Sequence, residues 1–492
     1  MTRKGKLAIL FSINSLFIFL FSFLLTRNVT YTMYSLALVS LISAGFFLAF
    51  SSQRFFFKLL FLLIPLSTET VVANTTIHLF FPSELLAGVM AISFVIHSLF
   101  YLDLDRKLLF HPLSIAVLIY FLVLLLSSFS SADTAVSLKV CLLKFCYISV
   151  FYFFLHSFLK KDIKNIRTVF LFYGLSLLVI ILYSLYHHSI YHFEKSMSSA
   201  VVKPFFADHT IYSACIAFVL PAFTFFILFP VETGFRKLER VILIALTAIL
   251  YIGLFYSYSR AAWLSLAVSI LFSLALLIKI RFRTLVFFLL AAGALLYLNR
   301  GNLIDEFNQN RNDSNAKNAG IEEQTKSITN IHSDISNAER LNRWKCAIRM
   351  VCDRPVLGFG PGTYQFQYLS YQLKPEMTRI SVTSPYNIQF GHGGTAHSEY
   401  MLALSEGGIL GLSVFVLLIL IAVRTAMKNV YDGTDGSVRT LCTMTLLGLT
   451  TYLVHGLFNN FLDTDKIAFL FWSSLSILVT IDLNKNNLPT SK

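Results

Sequence analysis

The chain has 492 residues, 56% of them hydrophobic and 13% charged, with 49 Phe; so much apolar surface exceeds what a soluble core can bury and excludes an ordinary water-soluble enzyme. The formal net charge of +14, carried by a chain of this kind, is first an orientation signal and an affinity for membrane lipids with anionic headgroups, with no nucleic acid implied. The composition is that of an all-α polytopic integral membrane protein.

About fourteen apolar stretches follow one another, near 7–26, 31–50, 54–67, 85–102, 110–129, 138–158, 168–186, 210–229, 241–257, 261–279, 284–299, 398–423, 438–456 and 466–483, and most approach the ~20 residues that a spanning helix needs. The weakest is 54–67, shortened by Pro65 and carrying Lys58. The expectation is therefore about 12–14 transmembrane helices. With the N-terminus inside, the inward connections collect Arg3, Lys4 and Lys6, Arg106 and Lys107, Lys160 and Lys161, Arg236 and Lys237, and Arg424 and Lys428. That is a positive-inside pattern, and it puts both termini in the cytoplasm. The basic start runs into a long apolar segment without a small-residue cleavage site, so the first helix is expected to be retained.

On the opposite side three connections are long, 68–84, 187–209 and 300–396, and the last is the one large extramembrane domain. The expected organisation is N-terminal helices at 1–209, central helices at 210–299, the loop domain at 300–396, C-terminal helices at 397–483 and a tail at 484–492. From Asn302 to about Asn337 the loop is polar and poor in aromatics, the composition of a mobile or weakly helical lid. The run from Ala338 to Met350 is compatible with a helix ended by Pro355, and Gly358, Gly360, Pro361 and Gly362 then dictate an irregular turn.

Cysteines and nucleotide motifs say little. Cys141, Cys146, Cys215 and Cys442 fall in apolar segments, as buried thiols do. Cys346 and Cys352 in the loop domain would lie about 9 Å apart on one helix, beyond disulfide reach. No Cys/His cluster has zinc spacing, and there is no Walker A or Rossmann fingerprint, so neither a metal nor a cofactor is implied.

His397 stands where the loop domain re-enters the membrane. If the following helix starts there, Gly408 shares its face about three turns on, roughly 16 Å away, and Gly411 lies one turn further. Glycines at those places would let a neighbouring helix approach closely. Arg260, at the tight junction Tyr256–Trp263, falls at an outward helix end where positive-inside charge does not explain it. It reads either as a snorkelling anchor beside Trp263 or as an anion clamp suited to phosphate oxygens. Arg340, four residues before Trp344, is a second candidate for the clamp and equally a solvated loop charge. Lys139 and Lys144 lie on one apolar segment, where a lysine is costly enough to count as a functional candidate, with Lys144 the choice for the phosphate site. Glu406 is expected on the face away from His397, pairing with a polar group in the bundle. His187, His188, His192 and His209 read as solvated or packing residues. Trp344, Tyr364 and Tyr400 could stack on sugars or be ordinary interface aromatics.

Taken in order, Ser-x-Ser-Arg (Ser257 to Arg260), Arg-x-x-x-Trp (Arg340 to Trp344), Arg-Pro-x-x-Gly-x-Gly-Pro-Gly (Arg354 to Gly362) and His-Ser-x9-Gly-x-x-Gly (His397 to Gly411) resemble the O-antigen ligase/polymerase superfamily over about residues 210–460. The resemblance implies a GT-C-like membrane glycosyltransferase of the bacterial inner membrane, moving glycan from an undecaprenyl-diphosphate carrier on the periplasmic face without a metal. It assigns acceptor activation to His397 and the donor diphosphate to Arg260 and Arg340, with Ser398, Gly358, Gly360, Gly362, Gly408 and Gly411 shaping the site. Ligases with a lipid A-core acceptor are the first expectation. Polymerases that extend a growing glycan and oligosaccharyltransferases with a protein acceptor remain alternatives. A transporter of lipid-linked glycan would also need many helices and cations, but its charges should line a central path, whereas these gather beside one large loop.

Overall fold

The computed structural model describes residues 52–71, 78–101, 105–162, 164–298, 335–378, 380–382, 394–433 and 435–484. The expected helices at 7–26 and 31–50, the polar stretch from Asn302 to residue 334 and the tail beyond residue 484 lie outside them. In chain order the main elements are α1 (Gln53–Leu66), β1 (Thr68–Val71), β2 (His78–Phe81), α2 (Ser83–Tyr101), α3 (Pro112–Phe129) and α4 (Thr134–Leu159, with a π-helical turn at Ser149–Phe154). There follow α5 (Asn165–Ile190), α6 (His209–Leu228), α7 (Arg240–Phe255), α8 (Arg260–Leu277) and α9 (Phe282–Leu298). The loop domain contributes α10 (Ile335–Asp353), and α11 (Glu399–Asp432), α12 (Gly436–His455) and α13 (Asp465–Asn484) complete the set.

Eight of the described helices are long and apolar enough to cross a membrane. In hydrocarbon every backbone N–H and C=O must be satisfied within the protein, so apolar runs of this length fold as helices. Their starts are set by polar side chains: Asp208 accepts from the amides of Thr210 and Ile211 ahead of α6, and His111 accepts from Leu113 with Pro112 opening α3. The chain is thus an all-α polytopic membrane protein. The weak segment at 54–67 is the 14-residue α1, about 21 Å long and short of a ~30 Å hydrocarbon core. The connection at 68–84 holds a small antiparallel hairpin, Thr68 opposite Phe81.

Two compact units divide the chain. One takes in residues up to Phe110, Phe145–Ser257 and the chain from Thr464. Its axis is α13, buried on all sides from Asp465 to Ile481, where Phe469 meets Phe61, Phe151 and Tyr173 at ring separations of 5.2, 5.2 and 5.3 Å. Ser476 of α13 donates to the Tyr152 carbonyl inside the π turn at 2.8 Å, a second bond on a carbonyl that also accepts from the Leu155 amide, and so ties α13 to the irregular turn. Asp465 and Lys466 are both buried at the start of α13. The carboxylate accepts from Ser67 and Ser83, and the ammonium donates to Ser67 Oγ and to its carbonyl.

The other unit comprises His111–Lys144 and Tyr258–Asp463. In it α3 packs on α11, α8 on α12 and α12 on α11. The loop domain has a core of its own, built from Cys346, Ala347 and Met350 of α10 with Phe359, Tyr364 and Tyr368, and it is continuous with Ala396 and Leu402 at the start of α11. Helix α10 begins before the expected Ala338 and ends at Asp353, ahead of Pro355. Cys346 and Cys352 share it as free thiols.

Candidate active site

His397 does not lie on the helix that follows it. Its backbone is left-handed (φ 51°), Ser398 is extended, with its hydroxyl accepting from the Met401 amide at 3.4 Å, and α11 starts at Glu399. The expectation that His397 and Gly408 share one helical face is therefore corrected twice over, because α11 also breaks at Gly408 (φ 66°, ψ −167°). The break is filled by the glycine turn of the loop domain. Phe359 and Gly360 donate to the carbonyls of Ser405 and Glu406 at 3.1 and 2.9 Å, while Ile409 and Leu410 donate to those of Pro355 and Val356 at 2.8 and 3.3 Å. Backbone freed inside an apolar helix is thus re-satisfied by a second strand of backbone.

That exchange explains the glycines better than helix packing does. A Cβ on Gly408 would sit 2.3 Å from the Val356 oxygen, one on Gly358 2.5 Å from the Glu406 carbonyl, one on Gly360 2.2 Å from Ser131 Oγ and one on Gly362 2.7 Å from Val140. Gly411 faces only its own kinked helix, at 3.2 Å from the Ala403 oxygen. Glu406, expected to pair with a polar group in the bundle, instead accepts through its carboxylate from the Tyr364 amide of the loop domain at 3.0 Å.

The connection between α12 and α13, from Gly456 to Asp463, gathers the candidate residues. The Gly456 carbonyl accepts from the Glu399 amide at 2.9 Å and from Ser398 Oγ at 3.3 Å. Arg340 Nε donates to the Phe458 carbonyl at 3.2 Å while its Nη1 donates to Asn337 at 3.0 Å. Thr395, two residues before His397, donates to Asn460 at 2.6 Å. Lys144 Nζ meets Asp463 Oδ1 at 2.6 Å, with side chains 11% and 42% exposed. Lys139 is exposed, so only one of the two lysines on α4 reaches this cluster.

Arg260 is the first residue of α8, following Tyr258 in a left-handed turn. Tyr431, near the end of α11, donates to the Ile280 carbonyl just beyond α8, and Ser269 donates to the Leu447 carbonyl. Helices α8 and α12 therefore run antiparallel. From Ser269 back to Arg260 is the same helical length as from Leu447 on to Gly456, so Arg260 stands level with Gly456, where the segment to Asp463 begins.

Two residues of this region were not among the candidates read from sequence. Arg343, buried, donates to Glu339 at 3.0 Å and to the Thr395 carbonyl at 2.9 Å and lies 4.8 Å over the Tyr368 ring. It ties α10 to the His397 turn, as does Trp344, whose Nε1 donates to the His397 carbonyl at 3.4 Å. Glu399 is the other: Tyr452 Oη, the Phe461 amide (2.6 Å) and the Leu462 amide (2.8 Å) all converge on its Oε1.

Of the proposed sugar-stacking aromatics, Tyr364 is corrected. It is buried and stacked on Tyr368 at 5.5 Å, with its hydroxyl on the Arg343 carbonyl and burial holding its proton well above the ordinary tyrosine range. In the other unit His188 and His209 are packing residues, bonded to the Glu194 carbonyl and to Ser199.

These features define a polytopic α-helical membrane protein whose loop domain is stitched into a broken membrane helix beside a histidine turn. Residues 243–416, about a third of the chain, match the family model described as O-antigen ligase, and over that range the chain is similar to the O-antigen ligase superfamily. Members of that family are glycosyltransferase-like enzymes of lipid-linked glycans. No curated protein matches the chain. The matched range carries Arg260, Arg340, the glycine turn, His397, Gly408 and Gly411, and it leaves Lys144 and Gly456–Asp463 outside.

Proposed function

We propose that this protein transfers a glycan from an undecaprenyl-diphosphate carrier to an acceptor hydroxyl at the periplasmic face of the inner membrane, as an O-antigen ligase whose acceptor is lipid A-core. The observation that carries the reading is the convergence, in a chain whose residues 243–416 match the O-antigen ligase family model, of the His397 turn and Arg340 on one segment level with Arg260.

A sugar hydroxyl is a poor nucleophile. A neutral imidazole at His397 takes its proton as the oxygen attacks the anomeric carbon. The bond from that carbon to the carrier diphosphate breaks, and the electron pair leaves with the diphosphate. This leaving group is a stable anion, so it needs charge stabilisation and no general acid, and the guanidinium groups of Arg260 and Arg340 supply it. Lys144 adds a third positive group. Because Asp463 already holds its ammonium, its share is smaller than that of the arginines. Direct displacement inverts the anomeric configuration, and no metal takes part.

The acceptor class is tested by deleting the gene in its source organism and profiling surface glycans with their lipid-linked intermediates. Accumulation of polymerised carrier-linked glycan together with bare lipid A-core supports the ligase. Single-repeat carrier-linked glycan would make the protein a polymerase, and an unmodified protein acceptor would make it an oligosaccharyltransferase.

A further inference from the structure

We infer that Glu399 is a positioning residue for the transfer proposed above, on which this inference rests: its carboxylate fixes the Gly456–Asp463 segment and, through it, the places of Arg340 and the His397 turn. A buried carboxylate is costly unless its oxygens are fully engaged. Here one oxygen takes three donors, two of them consecutive backbone amides, Phe461 and Leu462, and the third the hydroxyl of Tyr452 on α12. Successive amides turned toward one oxygen form a nest, and here the nest closes on the Glu399 carboxyl group.

The same segment is what the site residues grip. Arg340 bonds the Phe458 carbonyl, three residues before Phe461, and Thr395 bonds Asn460, the residue before it. On the near side, the Glu399 amide and Ser398 hydroxyl hold the Gly456 carbonyl. Glu399 therefore grips the segment with its backbone at one end and its side chain at the other. If the side-chain grip loosens, Phe458 and Asn460 move, and the guanidinium of Arg340 and the turn carrying His397 lose their common reference. Since the arginine is assigned to the donor diphosphate, the loss should be felt first in donor recognition.

The experiment uses the full-length protein in proteoliposomes with a carrier-diphosphate-linked glycan extracted from the deletion strain. Glu399→Gln keeps the shape and removes the charge, Glu399→Asp keeps the charge, and Tyr452→Phe removes one donor while leaving the carboxylate in place. Glu399→Gln should raise the KM for donor by at least about tenfold, equal to ~1.4 kcal/mol, and Tyr452→Phe should raise it by less than that but by more than about twofold. The KM for acceptor should stay near wild type, and Glu399→Asp should recover part of the loss. A merely structural glutamate would lower the amount of folded protein and leave the kinetic constants of the folded fraction alone. Donor KM values within about twofold of wild type for Glu399→Gln, or for Tyr452→Phe if the glutamine variant does not fold, overturn the inference. His397→Ala separates the two readings. If it is inactive while Glu399→Gln behaves as wild type, the positioning role alone fails, and if it is fully active, the transfer reading fails first.

Discussion

Replacing Gly408 with alanine should cost more than any other single methyl added to α11. The backbone there (φ 66°, ψ −167°) lies in a region that only glycine occupies without strain, worth ~1–3 kcal/mol for an L side chain. The new Cβ would meet the Val356 oxygen at 2.3 Å and the Gly358 nitrogen at 2.8 Å. Both are backbone atoms and neither can rotate away. Relief requires the Pro355–Gly358 segment to withdraw, giving up the bonds from Ile409 and Leu410 to the carbonyls of Pro355 and Val356. Each is worth ~0.5–1.5 kcal/mol, so with the strain the total comes to about 2–6 kcal/mol. Gly411→Ala is the control, with an ordinary backbone and its nearest atom at 3.2 Å. Thermal unfolding of the purified protein in detergent, with proteolysis of the loop domain followed in parallel, should show Gly408→Ala melting several degrees lower and the loop cut sooner. Melting no lower than that of Gly411→Ala would refute the account of the broken helix.

Asp463→Asn should destabilise the protein more than Lys144→Met, because it strands the less exposed partner of the pair; partial exposure of Asp463 keeps the difference to about 1–3 kcal/mol in chemical unfolding. In the loop domain Glu376 is bonded by Arg349 at 2.5 Å and paired with Lys345 at 3.2 Å. Burial opposes ionisation there, but the two cations prevail and hold the carboxyl below its ordinary value. Its stabilising effect is thus complete above the unfolded-state value of about 4.3 and is lost as pH falls through the depressed folded value. Glu376→Gln should accordingly cost about 1 kcal/mol at neutral pH, with the gap from wild type closing in melts below about pH 4. Cys352, exposed on α10, should react with maleimide in the native protein, while Cys346, buried with its thiol pushed up to about 11, should react only on unfolding.

The spanning helices were legible because ~20 apolar residues in lipid have no other way to satisfy their backbone, and the His397, Arg340 and glycine-turn motifs were legible as a resemblance. The hairpin at Thr68–Phe81 was not, since four-residue strands leave no period to read. Gly408 was misread as a packing glycine for a related reason. Its left-handed backbone is imposed by Pro355–Gly360, about fifty residues upstream, and nothing in the flanking apolar run records that partner. Glu399 stood in plain view beside His397, yet its role depends on Phe461 and Leu462, which in sequence are only part of a connection between helices. A signal was present in Asn459, Asn460 and Asp463, polar residues clustered between two membrane helices where a plain turn would need fewer. Arg343 and Arg340 illustrate the limit most sharply: three residues apart on one helix, one is buried in a structural bond to Thr395 and the other reaches Phe458, a difference set by helix facing and tertiary contacts alone.

The central claim is that His397 activates an acceptor hydroxyl, and the most direct test returns wild type or His397→Ala, at matched membrane levels, to a deletion strain. The account predicts that wild type restores the surface glycan while the alanine variant leaves it absent and carrier-linked glycan accumulating. Restoration of the wild-type profile by His397→Ala would contradict it and reopen the transporter reading.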